Sequence, residues 1–280
     1  MFDLIKKYPN VKCMKILKEE QEIFSYQRQN EVETSCFAVG CIFKSFLAAL
    51  VGIAIYEGKI HSIEDCVIDY VSHDDITEMN WYKLKIKHVL SKTTGIKWPG
   101  PNEPLPTDMR EVMKLPFENE PGLSFQYKPD PQIIVYLLEE VYGMEITKLF
   151  QDKMVSYFRN YTFEWNREDI QGMKVSSELL CEFGQLIINK GIIYGKRLFT
   201  EVFYEQMIIA YSTGGFPECS PYGLSWWIGQ DGEERFIRAC GFGGQMLAIF
   251  PAKNMVISIL SDMDRPHPEN LQLLLEASMM

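Results

Sequence analysis

The chain has 280 residues, of which 46% are hydrophobic, enough to bury a sizeable core in one large domain or two small ones. Acidic residues outnumber basic ones by 38 to 28, and the formal net charge at pH 7 is -10. A surface of that sign repels nucleic acid and anionic membranes, so we predict neither as a binding partner.

The cysteines and the N-terminal segment indicate the compartment. Seven cysteines are scattered along the chain without a C-x-x-C pair, which favours reduced thiols. Residues 1–18 carry charges throughout, and no segment approaches the roughly 18 apolar residues of a spanning helix. We therefore expect a soluble, cytoplasmic protein without membrane insertion. A chain trimmed of an export signal would give the same pattern.

The predicted elements begin with a β-hairpin and a buried helix. Two β-rich stretches, Lys12 to Leu17 and Glu22 to Gln27, flank four polar residues that suit a turn. Cys41 to Tyr56 is apolar at helical spacing on almost every face, which predicts a helix at the domain centre. Gly58 follows at a position where glycine commonly ends a helix.

The middle of the chain predicts mainly helices separated by proline-rich loops. A periodic run from Ile133 to Val141 is followed by Gly143, and a second helix is predicted from Ser176 to Asn189. We expect a helical lobe over about residues 61–214.

The C-terminal part predicts strands again. Short apolar runs are punctuated by glycine and proline and predict strands over Leu224 to Ile228, Arg235 to Ala239, Gln245 to Phe250 and Met255 to Leu260. An amphipathic helix is predicted from Glu269 to Met280. The order predicts an α+β fold with an antiparallel sheet built from both chain ends, flanked by helices, and a mostly helical insertion. We expect one domain whose sheet lobe takes about residues 1–60 and 215–280.

Cys41 and Lys44 form a candidate reactive pair at the start of the predicted buried helix. They lie three residues apart and share one helix face. The positive end of the helix dipole and the lysine charge both favour a thiolate, and burial makes neutral Lys44 less unfavourable, which suits a proton acceptor. The alternative is a small core cysteine with a lysine that extends to solvent.

The run from Phe37 to Ile60 resembles a motif of a known enzyme family. It reads F-A-V-G-C-I-F-K-S-F-L-A-A-L-V-G-I-A-I-Y-E-G-K-I. This run is similar to the S-x-x-K helix of serine β-lactamases, penicillin-binding proteins and related hydrolases, especially the class C-like branch. Cys41 stands where that motif has its nucleophilic serine.

Three further segments resemble the same family in the same order. Leu84 to Ile96 ends in K-T-T-G-I, similar to a Thr-Ser-Gly-like turn, and Pro121 to Gly143 contains Tyr127, which matches the tyrosine of the Y-x-N motif. Tyr222 to Gln245 is similar to the last active-site strand, where K-T-G or H-x-G becomes Ala239-Cys240-Gly241. The resemblance covers essentially the whole chain and implies a β-lactamase/transpeptidase-like fold.

The resemblance also implies a reaction. The expected function is that of an acyl-transfer hydrolase acting on a small amide or ester through a covalent acyl-enzyme on Cys41, without a cofactor. Tyr127, partnered by Lys44, is the implied general base or proton relay. The alternative for Tyr127 is a structural tyrosine whose hydroxyl anchors a loop.

The last strand supplies the implied oxyanion hole. The amides of Cys41 and Phe242 are its implied donors, and Gly241 and Gly243 would let the backbone approach a ligand. A plain glycine bulge is the alternative. Cys240 beside them is either a second reactive thiol or a small buried strand residue.

Every catalytic motif departs from the family pattern. Pro129 stands at the third position of Y-x-N and offers no side-chain amide. Ala239 removes the basic charge that binds a substrate carboxylate, so we do not expect penicillin binding. An inactive binding or sensing module therefore remains an alternative function. An engineered serine replacement at Cys41 is a third, although changes at several motifs together argue for natural divergence.

The histidines indicate no metal site. His61, His73, His88 and His267 are isolated and accompany no cysteine cluster, so we predict neither a metal nor a cofactor. The predicted partner is a small-molecule or peptide-like substrate, and the pattern indicates no particular oligomeric state.

Overall fold

The computed structural model describes residues 1–29, 36–72, 76, 78–100 and 103–279. The helices in these ranges are α1 (Phe2–Ile5), α2 (Phe43–Tyr56), α3 (Ile86–Leu90), α4 (Met109–Val112), α5 (Pro131–Tyr142), α6 (Ile146–Lys153), α7 (Ser177–Ile188), α8 (Glu201–Met207) and α9 (Glu269–Ser278). The strands are β1 (Val11–Lys18), β2 (Gln21–Gln27), β3 (Phe37–Ala38), β4 (Phe163–Asn166), β5 (Asp169–Val175), β6 (Ile192–Ile193), β7 (Lys196–Arg197), β8 (Ser212–Gly215), β9 (Ser220–Tyr222), β10 (Trp227–Asp231), β11 (Glu234–Gly241), β12 (Gln245–Phe250) and β13 (Met255–Ser261). Within the described ranges, no helix has the length and apolar character needed to cross a membrane.

One large sheet joins the two ends of the chain. Among the described residues it contains eight strands in the order β2-β1-β13-β12-β11-β10-β9-β8. Every neighbouring pair is antiparallel, and the N-terminal β1 lies beside the C-terminal β13 with Met14 opposite Ile259. The predicted α+β fold, with an antiparallel sheet assembled from both termini and flanked by helices, is confirmed.

The two faces of the sheet bury different layers of helices. Leu247 and Ile249 of β12 pack in the cluster that contains α2, α5 and α7. Their neighbours Met246 and Ala248 face the opposite way and pack with Leu273 of α9. This alternation along β12 places the sheet between two apolar layers, and full burial of each large aliphatic side chain stabilises the fold by roughly 1.5–3 kcal/mol.

The central helix forms where the sequence predicts it, with a different first turn. Gly40–Ile42 form a 3-10 turn, and α2 begins only at Phe43. Every residue from Phe43 to Ala54 is buried, as expected for a helix that is apolar on all sides. Gly58 follows the helix with a φ of 71°, which confirms its expected role as a helix stop.

One strand prediction in the second half of the chain needs correction. The strand predicted from Leu224 to Ile228 begins at Trp227, because Ser225 has a φ of 63° and its N–H donates to the Leu90 carbonyl instead of to a strand. The middle of the chain also contains β4 and β5, which pair with β3 in a separate three-stranded sheet within the described residues. The last helix ends at Ser278, and Met280 of the predicted helix lies outside the described residues.

Candidate active site

Cys41 lies at the N-terminal end of the buried central helix and beside the end of β11. Gly40 precedes it with a φ of 51°, and a Cβ added there would lie 3.1 Å from the backbone nitrogen of Phe242. A Cβ added at Gly241 would lie 2.1 Å from the Val39 carbonyl oxygen. Both glycines are needed because only a backbone without side chains allows this close approach. The sequence motif and the last strand therefore meet at Cys41.

Lys44 is the second residue of α2 and is buried, with 6% of its surface exposed. Its Nζ donates a hydrogen bond of 2.7 Å to the Tyr127 hydroxyl. The same ammonium lies 3.9 Å from the centroid of the Tyr127 ring, within range of a cation–π contact. The structure thus brings together Lys44 and Tyr127, which the sequence resemblance pairs.

The charges around Cys41 change its protonation. Burial raises the pKa of the Cys41 thiol, but the Lys44 charge, hydrogen bonds with Lys44 and Tyr127, and the Lys92 charge outweigh burial, so the pKa of Cys41 is lowered. Burial lowers the pKa of Lys44, partly opposed by the Cys41 thiolate. Burial, followed by the negative charge of Cys41, raises the pKa of Tyr127 far above its ordinary value. The Tyr127 hydroxyl therefore stays protonated and can donate a hydrogen bond to the Cys41 sulfur.

A second buried lysine, Lys92, stands behind Tyr127 and was missed in the sequence reasoning. Its Nζ lies 5.4 Å from the Tyr127 ring centroid and 3.6 Å from Oδ2 of Asp130. Burial lowers the pKa of Lys92 to about 7, while the Asp130 charge opposes that shift. The only available sequence signal was its place in the K-T-T-G turn, beside a motif of the family.

Asp130 connects this turn to the start of α5. It is fully buried, and its Oδ1 accepts hydrogen bonds from Thr94 Oγ1 at 2.8 Å and Trp98 Nε1 at 2.7 Å. A buried carboxylate is tolerated because these donors and the nearby Lys92 ammonium compensate its lost hydration. The wall behind Tyr127 is consequently a connected polar network.

The end of β11, on the other side of the site, presents small side chains at the two motif positions. Ala239 packs in the core layer of α2, and Cys240 is buried on the opposite face of β11. Burial, reinforced by the Glu218 charge, raises the pKa of Cys240 far above the ordinary thiol value. This environment favours the buried strand residue over a second reactive thiol.

The loop after β11 is held from behind by buried polar side chains. Ser261 Oγ donates to the Gly243 carbonyl at 2.5 Å, and Asn270 Nδ2 donates to the Gly244 carbonyl at 3.0 Å. The Phe242 side chain is 52% exposed, whereas its backbone nitrogen faces the Gly40 turn. These contacts fix the loop beside Cys41.

A cavity of about 720 Å³ opens from the Cys41 side of the site. Cys41, Lys44, Tyr127 and Pro129 line one part of it, and residues 167–171, from the turn after β4 and the start of β5, line another. Among the described residues, its lining does not include Cys240, Gly241, Phe242 or Gly243. The predicted site residues therefore divide between the cavity wall and the strand end beside it.

Comparison with known proteins identifies the family. The sequence matches the Beta-lactamase family over residues 26–277. The chain belongs to the Beta-lactamase family. No curated protein sequence matches it.

Solved structures share the fold of this β-lactamase family member at low sequence identity. A protein from Bacteroides dorei, provisionally described as a β-lactamase, has a TM-score of 0.80 and 14% identity over 100% of this chain and 97% of its own. A Bacillus anthracis protein, provisionally described as a 6-aminohexanoate-dimer hydrolase, has a TM-score of 0.78 and 17% identity over 100% and 80% of the two chains. An octameric penicillin-binding protein homologue from Pyrococcus abyssi has a TM-score of 0.75 and 16% identity over 98% and 76%.

Metal ligands are not gathered in the described part of this β-lactamase family chain. No group of three or more His, Cys, Asp or Glu side chains there is placed to hold a metal ion. His73 lies outside the described residues, and buried His267 contacts Asp264 and Glu269 at 3.0 and 2.9 Å.

Proposed function

We propose that this β-lactamase family member is an acyl-transfer hydrolase that acts on a small amide or ester through Cys41. The observation that carries the proposal is the 2.7 Å hydrogen bond from buried Lys44 to Tyr127, next to a thiol whose pKa is lowered. A thiolate at the end of an open cavity is a competent nucleophile, and a neighbouring proton donor can assist the leaving group.

The reaction begins when the Cys41 thiolate attacks the substrate carbonyl carbon. A carbon–sulfur bond forms, and the carbonyl electron pair moves to oxygen, where the amides of Cys41 and Phe242 stabilise the negative charge. The tetrahedral intermediate collapses with loss of the amine or alcohol, which takes a proton from Tyr127, and Lys44 returns a proton to the phenolate. The acyl group remains on Cys41 as a thioester.

Water completes the cycle by attacking the thioester carbonyl. Neutral Lys44, or Lys44 acting through Tyr127, takes one proton from the water, and the second tetrahedral intermediate expels the Cys41 thiolate. The products are a carboxylic acid and the regenerated thiolate–ammonium pair. The lowered pKa of Lys44 supports this role, because an amine must be neutral to accept a proton.

The proposed substrate does not depend on a carboxylate next to β11. Ala239 provides no cation there. The cavity lining combines the apolar residues Phe43, Leu105 and Ile170 with the charged residues Lys128, Arg167 and Glu168. This mixed lining supports an acyl group that has an apolar part.

An inactive binding module is the competing function, favoured by the neutral strand end at Ala239 and Cys240. The two functions differ in covalent chemistry. An enzyme forms a thioester that intact-protein mass spectrometry detects, whereas a binding module gains stability from a ligand without any mass change.

The test uses activated esters and amides, beginning with p-nitrophenyl acetate and butyrate. We expect an acyl adduct on Cys41 and its loss in Cys41→Ala, with Cys219→Ala as the matched control because Cys219 is exposed and distant in sequence from the motif. Adducts that persist in Cys41→Ala, or equal turnover by both variants, would contradict the proposal.

A further inference from the structure

Lys92 holds the chain on both sides of Tyr127. Its backbone carbonyl accepts a hydrogen bond of 2.7 Å from the Gln126 N–H. Its Nζ donates a hydrogen bond of 2.5 Å to the Lys128 carbonyl. One residue thus contacts both immediate neighbours of Tyr127, and its Nζ lies 5.4 Å from the centroid of the Tyr127 ring that Lys44 also contacts.

The position of Lys92 is itself rigidly defined. It is 1% exposed, and its backbone has a φ of 63°, a left-handed conformation that a lysine adopts only when its surroundings impose it. The adjacent Thr93 N–H donates to the His88 carbonyl at 2.8 Å, which fixes the turn to α3. Asp130, held by Thr94 and Trp98, lies 3.6 Å from the Lys92 Nζ.

We propose that Lys92 is a positioning residue that holds the 126–128 segment and so keeps the Tyr127 hydroxyl on Lys44 and Cys41. The inference rests on the proposed function, because the position of Tyr127 matters to the chemistry only if Cys41 is the nucleophile. Displacement of a proton donor by about 1 Å can reduce a rate by about a hundredfold, so a rigid support behind Tyr127 has a direct catalytic consequence.

Lys92 could also act on Cys41 without Tyr127, since its positive charge is among the causes that lower the Cys41 pKa. A double-mutant cycle separates the two routes. An effect transmitted through Tyr127 disappears when the Tyr127 hydroxyl is removed, whereas a direct charge effect remains.

The experiment measures the pH midpoint of Cys41 alkylation by iodoacetamide in the wild type, Lys92→Met, Tyr127→Phe and the double variant. We expect Lys92→Met to raise the midpoint by about half a pH unit or more, because a hydrogen bond that stabilises the thiolate is weakened. In the Tyr127→Phe background the same substitution should cause a clearly smaller shift. An equal shift in both backgrounds, or no shift in either, would overturn the inference.

Two further variants control the cycle. Lys87→Met removes a nearby lysine that pairs with Glu64 at 2.7 Å on the surface, and its midpoint should equal that of the wild type. Lys92→Gln removes the charge but keeps a donor for the Lys128 carbonyl. The positioning role predicts a midpoint close to that of the wild type for this variant, whereas a direct charge effect predicts the full rise, and this comparison decides between them if Lys92→Met does not fold by near-UV circular dichroism.

The outcome also distinguishes this inference from the proposed function. A wild-type midpoint at the ordinary thiol value would overturn both. A low wild-type midpoint that does not respond to Lys92 would overturn the positioning role alone and leave Cys41 as an activated nucleophile.

Discussion

The two walls of the candidate active site differ in how they are built. The wall around Cys41 contains the buried lysines Lys44 and Lys92, each with specific hydrogen-bond partners. The wall at the end of β11, which lies beside the cavity, contains Ala239, which packs against apolar neighbours, and buried Cys240, which contacts Glu218 and Arg238 on the other face of the strand. Groups able to activate a nucleophile are therefore present, whereas Ala239 occupies the position of the cation that would bind a substrate carboxylate at the end of β11.

Substitutions should affect the two walls differently, because one wall buries ionisable groups and the other buries small side chains. A buried charge is stable only while its partners remain, so removal of one partner affects both protonation and folding. A buried alanine or cysteine contributes mainly packing, and a small replacement changes little beyond volume. Substitutions in the two walls should therefore have effects of very different size.

The largest effect is expected from Lys44→Met, which should lower kcat/KM for an activated ester by about 10²–10⁴-fold, the usual contribution of a positioned proton-transfer group. The pKa of Cys41 should rise at the same time, since Lys44 is the largest of the causes that lower it. Lys59→Met, an exposed lysine after the same helix, serves as the control. Equal kcat/KM values for Lys44→Met and Lys59→Met would show that Lys44 has no catalytic role.

The next effect concerns stability. Asp130→Ala should reduce the free energy of unfolding by about 3–5 kcal/mol, because it leaves the buried amine of Lys92 and the buried donors of Thr94 and Trp98 without their acceptor. Urea denaturation followed by fluorescence measures this change. Glu168→Ala, an exposed carboxylate on the cavity wall, should stay within about 0.5 kcal/mol of the wild type. Similar decreases in the free energy of unfolding of both variants would show that the polar network behind Tyr127 does not stabilise the fold.

The neutral wall can be tested by restoring a charge. Ala239→Lys should increase the preference for carboxylate-bearing over neutral substrates by about tenfold, which corresponds to one charge-assisted hydrogen bond. Ala239→Met controls for the added volume in this packed position. The ratio of kcat/KM for a matched anionic and neutral ester is the measurement, and an unchanged ratio would show that position 239 does not face the substrate.

The smallest effect is expected from Cys240→Ala. Because burial raises the Cys240 pKa, this thiol stays protonated, and its removal should change turnover less than about twofold. Peptide mapping after iodoacetamide treatment should find Cys240 unlabelled in the folded protein. Labelling of Cys240 as fast as Cys41 would instead make the β11 wall a second reactive site.

Local sequence patterns correctly predicted individual helices and strands, because the spacing of apolar residues and helix-capping residues is readable in the sequence. Gln245–Phe250 forms the strand expected from its apolar run, and Ser176 caps the expected helix by accepting from the Leu179 N–H. The pairing of β3 with β5 was not predictable, because it joins segments separated by most of the central region. The strand predicted from Leu224 was displaced by a contact with Leu90 that no local pattern encodes.

In the candidate site, too, the sequence predicted only the residues that lie in recognisable local motifs. Cys41, Lys44 and Tyr127 could be chosen because each lies in a segment that resembles a family motif. Lys92 could not, since its role depends on a hydrogen bond to a carbonyl 36 residues away in sequence and on the complete burial of Asp130. Buried polar networks arise from tertiary packing, which hydrophobic periodicity does not report.

The most direct test of the account is the pH dependence of Cys41 alkylation, mapped by peptide mass spectrometry with exposed Cys219 as the internal comparison. A thiol whose folded-state pKa is lowered ionises at lower pH, so Cys41 should reach half-maximal reactivity below the value of about 8.5 for an ordinary cysteine. The midpoint should rise in Lys44→Met and Tyr127→Phe. A midpoint at or above the ordinary value in the wild type, unchanged in both variants, would contradict the claim that this wall activates Cys41.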